Sequence, residues 1–331
     1  MKKFAFSCFL IAAVLFLQQP ANANPGILKS ERHLPAAVAA QQENADPEWK
    51  STWGSLAESL KSDGIAPLYI DGLFSRLDTH PTLVPMGSKV KELYSNHFLP
   101  KPKKHNPTTF ETELGIPGPW FKGVVTPHNA ETCREFLLDH ADSFALAEIE
   151  SGVPQEIAVA LLFVETRLGT YLGKDNAFFM LASMSVTREP LTLKAYLDDL
   201  PGSYDHLEWI RQKMLLKSDW AYNELKALLK YCHSNTIDPL AVNGSIYGAI
   251  GLCQFMPSNI DKRGVDGNRD GRIDLFNVGD AVASLSNYLR KSGWQTESTL
   301  EKKIRVLRSY NAMDIYARTI LALAETILRL E

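Results

Sequence analysis

From Trp49 onward the apolar positions recur at helical spacing. Trp53, Leu56 and Leu60 form one stripe, and Leu73 and Leu77 follow, the spacing of a helix that buries one face. The stretch Leu99-Pro100-Lys101-Pro102-Lys103-Lys104-His105-Asn106-Pro107 interrupts this pattern. Proline removes a backbone donor and restricts its neighbour, so the stretch predicts an exposed loop. Thr126-Pro127 opens the next helix, with Phe136, Leu137 and Phe144 on its apolar side, running to about Ser151. Another helix spans 154–168, with Pro154 in its first turn and Gly169 after its end. Further helices are expected at 206–233, 280–291, 300–310 and 315–330. Strand-like alternation is scarce, so the fold is expected to be mainly α. No internal repeat or long low-complexity tract is present.

The first residues change the picture of what is mature protein. Met1-Lys2-Lys3, an apolar run from Phe4 to Leu17, and Ala21-Asn22-Ala23 have the order of a secretory signal peptide, assigned to residues 1–23. The apolar run is too short for a membrane span and no second candidate follows, so the mature chain is expected to have no transmembrane segment. It is expected to be soluble and periplasmic. Cys8 lies inside the apolar run, poorly placed to become a lipid-bearing terminus. Residues 24–48 read as a flexible leader, residues 49–120 as an N-terminal helical region, and 121–331 as a second region whose 178–240 segment packs with the first.

Net charge and cysteines narrow the class. The chain carries 35 basic and 38 acidic residues, net −3, and losing Lys2 and Lys3 makes it more acidic. Nothing here asks for nucleic acid. Cys133, Cys232 and Cys253 remain in the mature chain, an odd number that permits at most one internal bridge.

The candidate chemistry starts at Glu165. Its helical neighbours at three and four positions are Leu161, Leu162, Leu168 and Gly169, none able to pair with a carboxylate. A carboxylic acid among apolar side chains is desolvated and holds its proton toward neutral pH, as a general acid must. The alternative is a glutamate at the helix edge, solvated or paired with a distant arginine.

Two segments then carry a resemblance. Gly152-Val153-Pro154 through Val164-Glu165-Thr166-Arg167, and Gly244-Ser245 through Gly248-Ala249-Ile250-Gly251-Leu252-Cys253-Gln254-Phe255-Met256-Pro257-Ser258, resemble the lytic murein transglycosylase B family. The segment 266–280 is similar to that family's calcium loop, and Tyr310-Asn311 with Tyr316 to its C-terminal active-site segment. The resemblance implies a lysozyme-like helical core with an additional helical domain and an EF-hand-like loop. It implies peptidoglycan glycan strands as substrate, cleaved between N-acetylmuramic acid and N-acetylglucosamine with formation of a 1,6-anhydro ring. Glu165 would act as acid and then base, which is how one carboxyl could suffice where most glycosidases use two.

The resemblance also implies saccharide contacts at Ser245, Gln254, Tyr310 and Asn311, with Tyr316 and Trp120 as sugar-stacking aromatics. Residue chemistry alone favours other roles for two of them, a turn for Ser245 after Gly244 and helix packing for Tyr310. Leu168 stands where the family often has an aromatic, and its Tyr-Pro-Arg-Arg stretch has no clean counterpart near Thr187-Arg188-Glu189-Pro190. Only a short segment separates Trp294 from Tyr310, where some relatives insert a small β-rich subdomain. Cys253 reads as a small buried residue, since no histidine motif accompanies it.

Asp266-Gly267-Asn268-Arg269-Asp270-Gly271-Arg272-Ile273-Asp274 sets side-chain oxygens at alternate positions, then a glycine and an isoleucine, the pattern of a Ca²⁺ loop. Asn277 occupies the twelfth position instead of glutamate, and the resemblance supplies Asp280 as the closing acid. The expected ligands are Asp266, Asn268, Asp270, the Arg272 carbonyl and Asp280; the alternative is a Gly/Asp-rich turn without metal. Two further functions stay open. One is a hydrolase of the same bond, separable by product mass, and the other is a glycan-binding protein without catalysis.

Overall fold

A computed structural model describes residues 48–100 and 114–330. The expected signal peptide, nearly all of the leader, and residues 101–107 of the loop lie outside the described residues. The chain divides into two compact units, one ending at Pro81 and one running from Thr82 to Glu331.

The described part of the first unit contains α1 (Glu48–Ser62) and α2 (Pro67–Phe74). Their stripes meet at Trp53, Leu56, Leu60, Ile70 and Leu73, all buried. The Trp53 indole N–H donates to the Thr79 carbonyl at 2.8 Å.

The second unit holds the larger core. Its helices are α3 (Val84–Phe98), α4 (Pro127–Asp139), α5 (Ala141–Ser151), α6 (Gln155–Thr166), α7 (Ala177–Val186), the short α8 (Lys194–Leu197), α9 (Leu207–Asn235), α10 (Pro257–Arg263), α11 (Val278–Lys291), α12 (Leu300–Tyr310) and α13 (Asp314–Leu328). Helix α6 is buried almost all round, with Ala158 to Leu162 at 1% exposure or less, as an uninterrupted apolar helix must be. It packs on α4, α5, α11 and α13, while α7 packs on α3 and α9.

The two helices on either side of Gly152 differ from the sequence expectation. The helix from Thr126 to Ser151 is two helices, broken at His140, whose φ of −124° and ψ of 29° leave the helical region. No proline or glycine marks that break. The His140 ring instead packs on Phe136 at 4.5 Å between centroids, and Phe136 on Phe144 at 6.1 Å. Pro154 is the N-cap of α6, with ψ 141°, and not a first-turn residue. At the other end Arg167 and Leu168 already have positive φ before Gly169 does, so α6 stops at Thr166 in a left-handed turn that forgoes glycine at its first two positions.

Strand content among the described residues is one antiparallel pair, β1 (Asp175–Asn176) with β2 (Asn243–Gly244), in register Asp175 to Gly244. It matters because it anchors the segment carrying Ser245 to Gln254. At Gly173, φ 96°, an added Cβ would land on the Gly244 carbonyl, so only glycine permits this approach. The three described cysteines, Cys133, Cys232 and Cys253, are all buried and free, so none of them forms a bridge.

Candidate active site

Glu165 sits in the last turn of α6 and is 5% exposed. Burial pushes its carboxyl up to about 7, and a hydrogen bond from Tyr316 works in the opposite direction. The Tyr316 hydroxyl, in the first turn of α13, donates to Glu165 Oε1 at 2.5 Å. Among the described residues no ion pair to Glu165 is found. Desolvation, which disfavours the charged form, thus acts with no cation to cancel it. Tyr316 is a bond to the ionised form that keeps the acid able to release its proton.

The segment after β2 brings polar groups to this acid. Backbone bonds from Ser245 N to Ala249 O and from Ile250 N to Phe255 O fold it back on itself. Thr166 Oγ1 donates to the Leu252 carbonyl at 2.8 Å and thereby ties the end of α6 to it. Gln254 is held at φ 49°, its Nε2 donating to Gly251 O at 3.1 Å and to Leu172 O at 3.3 Å. Tyr310, at the end of α12, donates its hydroxyl to the Cys253 carbonyl at 2.5 Å, and its ring lies nearly parallel to Tyr316, 6.4 Å away.

A cavity of about 310 Å³ opens here, and Glu165, Gln254, Tyr310 and Asn311 all line it. Four sequence-derived candidates therefore converge. Three do not line it. Ser245 is 4% exposed, and its hydroxyl accepts from the backbone N–H groups of Tyr247 at 3.3 Å and Ala249 at 3.0 Å, the work of a turn residue. Tyr316 is 2% exposed and acts on the acid instead of offering a face to a sugar. Trp120 lies in the segment before α4, whose next residue is fixed by Phe121 N donating to Thr319 Oγ1.

The cavity also contains groups that sequence reasoning did not find: Trp220 and Glu224 of α9, Ser258 and Asn259 of α10, Tyr288 of α11, and Ser309 of α12. Trp220 and Glu224 are four residues apart and so share a helix face, but a long amphipathic helix gives no sign of what that face meets. Ser258 is the last residue of the 244–258 segment, which pointed to no role for it. The Cys253 thiol is pushed far up by burial, so it is no nucleophile at neutral pH.

The 266–280 loop places its acids differently from a closed metal cage. Asp280, 0% exposed, accepts at Oδ1 from the amides of Gly267 at 2.9 Å and Asn268 at 3.1 Å, and at Oδ2 from that of Asp274. Asp266 accepts from the amides of Asp270 and Gly271, Asn268 from that of Asp270, and Asp270 from that of Arg272. Among the described residues no group of three or more His, Cys, Asp or Glu converges as a metal centre.

The helical fold is shared with solved lytic transglycosylases. The soluble lytic transglycosylase SltB1 from Pseudomonas aeruginosa superposes with a TM-score of 0.60 at 20% identity, over 85% of this chain and 99% of that one. The Escherichia coli lytic transglycosylase SLT35 in complex with calcium gives 0.61 at 19% identity, over 84% and 93%. In sequence, residues 48–306 match the transglycosylase SLT domain, and the chain belongs to that family. The membrane-bound lytic murein transglycosylase B of Escherichia coli (strain K12) is 30% identical over 190 residues, 56% of this chain and 45% of that relative. The chain thus spans less than half the length of this curated relative.

Proposed function

We propose that the chain is a peptidoglycan lytic transglycosylase, cleaving the β-1,4 bond between N-acetylmuramic acid and N-acetylglucosamine and leaving 1,6-anhydro-N-acetylmuramic acid. The observation that carries this reading is Glu165, a buried acid held near pH 7 by two opposing effects at the wall of a polar cleft. Protonated Glu165 donates to the glycosidic oxygen as the bond to C1 breaks. The substrate's own acetamido oxygen stabilises the developing charge at C1. Ionised Glu165, now accepting from Tyr316, takes the proton of the C6 hydroxyl as that oxygen attacks C1. An acid poised between its two forms serves both steps. The C6 attack is intramolecular and so has a high effective concentration.

Digestion of purified sacculi followed by mass spectrometry is the test. Initial products should be lighter by one water than hydrolytic muropeptides. Predominantly hydrated reducing ends would replace this reading with a muramidase, which one observation favours: Glu224 is a second carboxylate in the same cavity. Both of its oxygens are already engaged by Ser258, which suits a fixed acceptor better than a base. Absence of any product from folded protein would favour a glycan-binding envelope protein. The proposed location is the periplasm; no helix among the described residues is long and apolar enough to cross a membrane.

A structural calcium ion is part of the proposal. The oxygens of Asp266, Asn268 and Asp270 at alternate positions, with the Arg272 carbonyl, are the donors a hard cation takes, and Gly271 turns the chain at φ 88°. Asp280 would close the set and already fastens the loop from within. The ion would tie down the loop and take no part in the chemistry. Millimolar-scale calcium should raise the melting temperature, since a ligand of the folded state stabilises it by mass action. Asp270→Ala should abolish the rise, and an unchanged transition with and without chelator would remove the metal.

A further inference from the structure

Glu224 is a second buried carboxylate in the cleft, and the proposed reaction gives it no step. It is 5% exposed, projects from α9 and lines the same cavity as Glu165. Its Oε2 accepts from the Ser258 backbone N–H at 2.9 Å and its Oε1 from the Ser258 hydroxyl at 2.8 Å. Burial raises its carboxyl, while those bonds and the charge of Lys262 oppose the rise. Each carboxylate oxygen has two acceptor positions, so one on each remains, and Ser258 fixes the carboxylate's plane. One turn earlier on α9, Trp220 lines the same cavity.

We infer that Glu224, held by Ser258 and flanked by Trp220, is the hydrogen-bond acceptor of a saccharide subsite that takes the O–H and N–H donors of an N-acetylhexosamine unit. An indole beside a fixed, two-oxygen acceptor matches a pyranose ring, which has an apolar face and donors around its edge. The neutral amides and hydroxyls of Asn259, Asn311 and Ser309 around the cavity suit uncharged hydroxyl and acetamido groups better than a peptide ammonium. Glu224 is a positioning residue in this assignment, seating the strand so that the scissile bond reaches Glu165. The inference rests on the proposed function and adds to it where one sugar unit is bound.

Glu224→Gln tests it cleanly, because the amide can keep both Ser258 contacts: its oxygen accepts from the backbone N–H and its NH₂ donates to the hydroxyl. Chitotetraose, which has no peptide, is titrated calorimetrically into full-length Glu165→Gln protein and into Glu165→Gln/Glu224→Gln. The second variant should bind at least about tenfold more weakly, the scale of a hydrogen bond to a charged group, with an unchanged melting temperature. In the otherwise wild-type chain, Glu224→Gln should raise KM and leave kcat in place. Equal chitotetraose affinity would overturn the subsite and leave the lytic reaction standing. A loss seen only with peptide-bearing muropeptides would overturn it in favour of a stem ammonium. Collapse of kcat at unchanged KM would overturn it in favour of the hydrolytic base. No chitotetraose binding by Glu165→Gln, together with no sacculus products from the wild type, would overturn both the subsite and the proposed function.

Discussion

Glu165→Gln is expected to lower sacculus cleavage by at least about a hundredfold, the scale of removing a general acid and base. The amide preserves the shape of the side chain and still accepts from Tyr316, so the fold and the cleft should persist. What disappears is the transferable proton. Because the same carboxyl is asked to give a proton to the glycosidic oxygen and to take one from the C6 hydroxyl, no part of the cycle escapes its loss. In the wild-type chain the acidic step needs the protonated form, and activity should fall as pH rises through about 7, the value to which burial pushes the carboxyl. Muropeptide release measured against pH for both proteins tests the assignment. Activity of the variant within tenfold of wild type would remove Glu165 from the mechanism.

The same substitution should change how stability depends on pH. The Glu165 carboxyl has an ordinary value of 4.5 and rises to about 7 in the folded chain. An acid whose pKa is raised by folding binds its proton more tightly in the native state. Its full contribution is therefore present below about 4.5 and is lost as pH rises through 7. That window is worth about 3 kcal/mol, since each pKa unit corresponds to about 1.4 kcal/mol. Glutamine has no such window. In urea unfolding, Glu165→Gln should gain on wild type between pH 5 and pH 8 by about 2 kcal/mol, allowing for partial titration at both ends. A difference that stays constant across that range would mean the carboxyl is not desolvated as the fold implies.

Glu165 was legible because its signal is local. One helix without a polar partner at three or four positions already implies desolvation, and the structure adds only the hydroxyl that moderates it. Tyr316 is the opposite case. Its residue type suggests a stacking face, and only the docking of α13 against α6 turns its hydroxyl onto the acid. Ser245 shows the limit from another side: its residue chemistry favours a turn while the resemblance implies a sugar contact, and two backbone bonds engage it in the turn. Trp220 and Glu224 were invisible because α9 spans 29 residues, and nothing in its periodicity says which part faces the cleft. The helices α12 and α13 were readable to within two residues at each end, since their apolar stripes are strongly one-sided. The division of the helix at His140 was not, because no breaker residue announces it.

The buried thiols lead to a last consequence. Cys133 lies on α4, Cys232 on α9 and Cys253 in the cleft segment, so each reports on a different part of the second unit. None is paired, and burial pushes the first two up to about 12 and the third further, away from the thiolate that reacts. Assembly of this unit therefore draws no crosslink from these cysteines and does not wait on an oxidase or an isomerase for them. An alkylating reagent meets a reactive sulfur only when the surrounding helices open, so three chemically silent positions become clocks that time the breathing of three separate regions of the molecule.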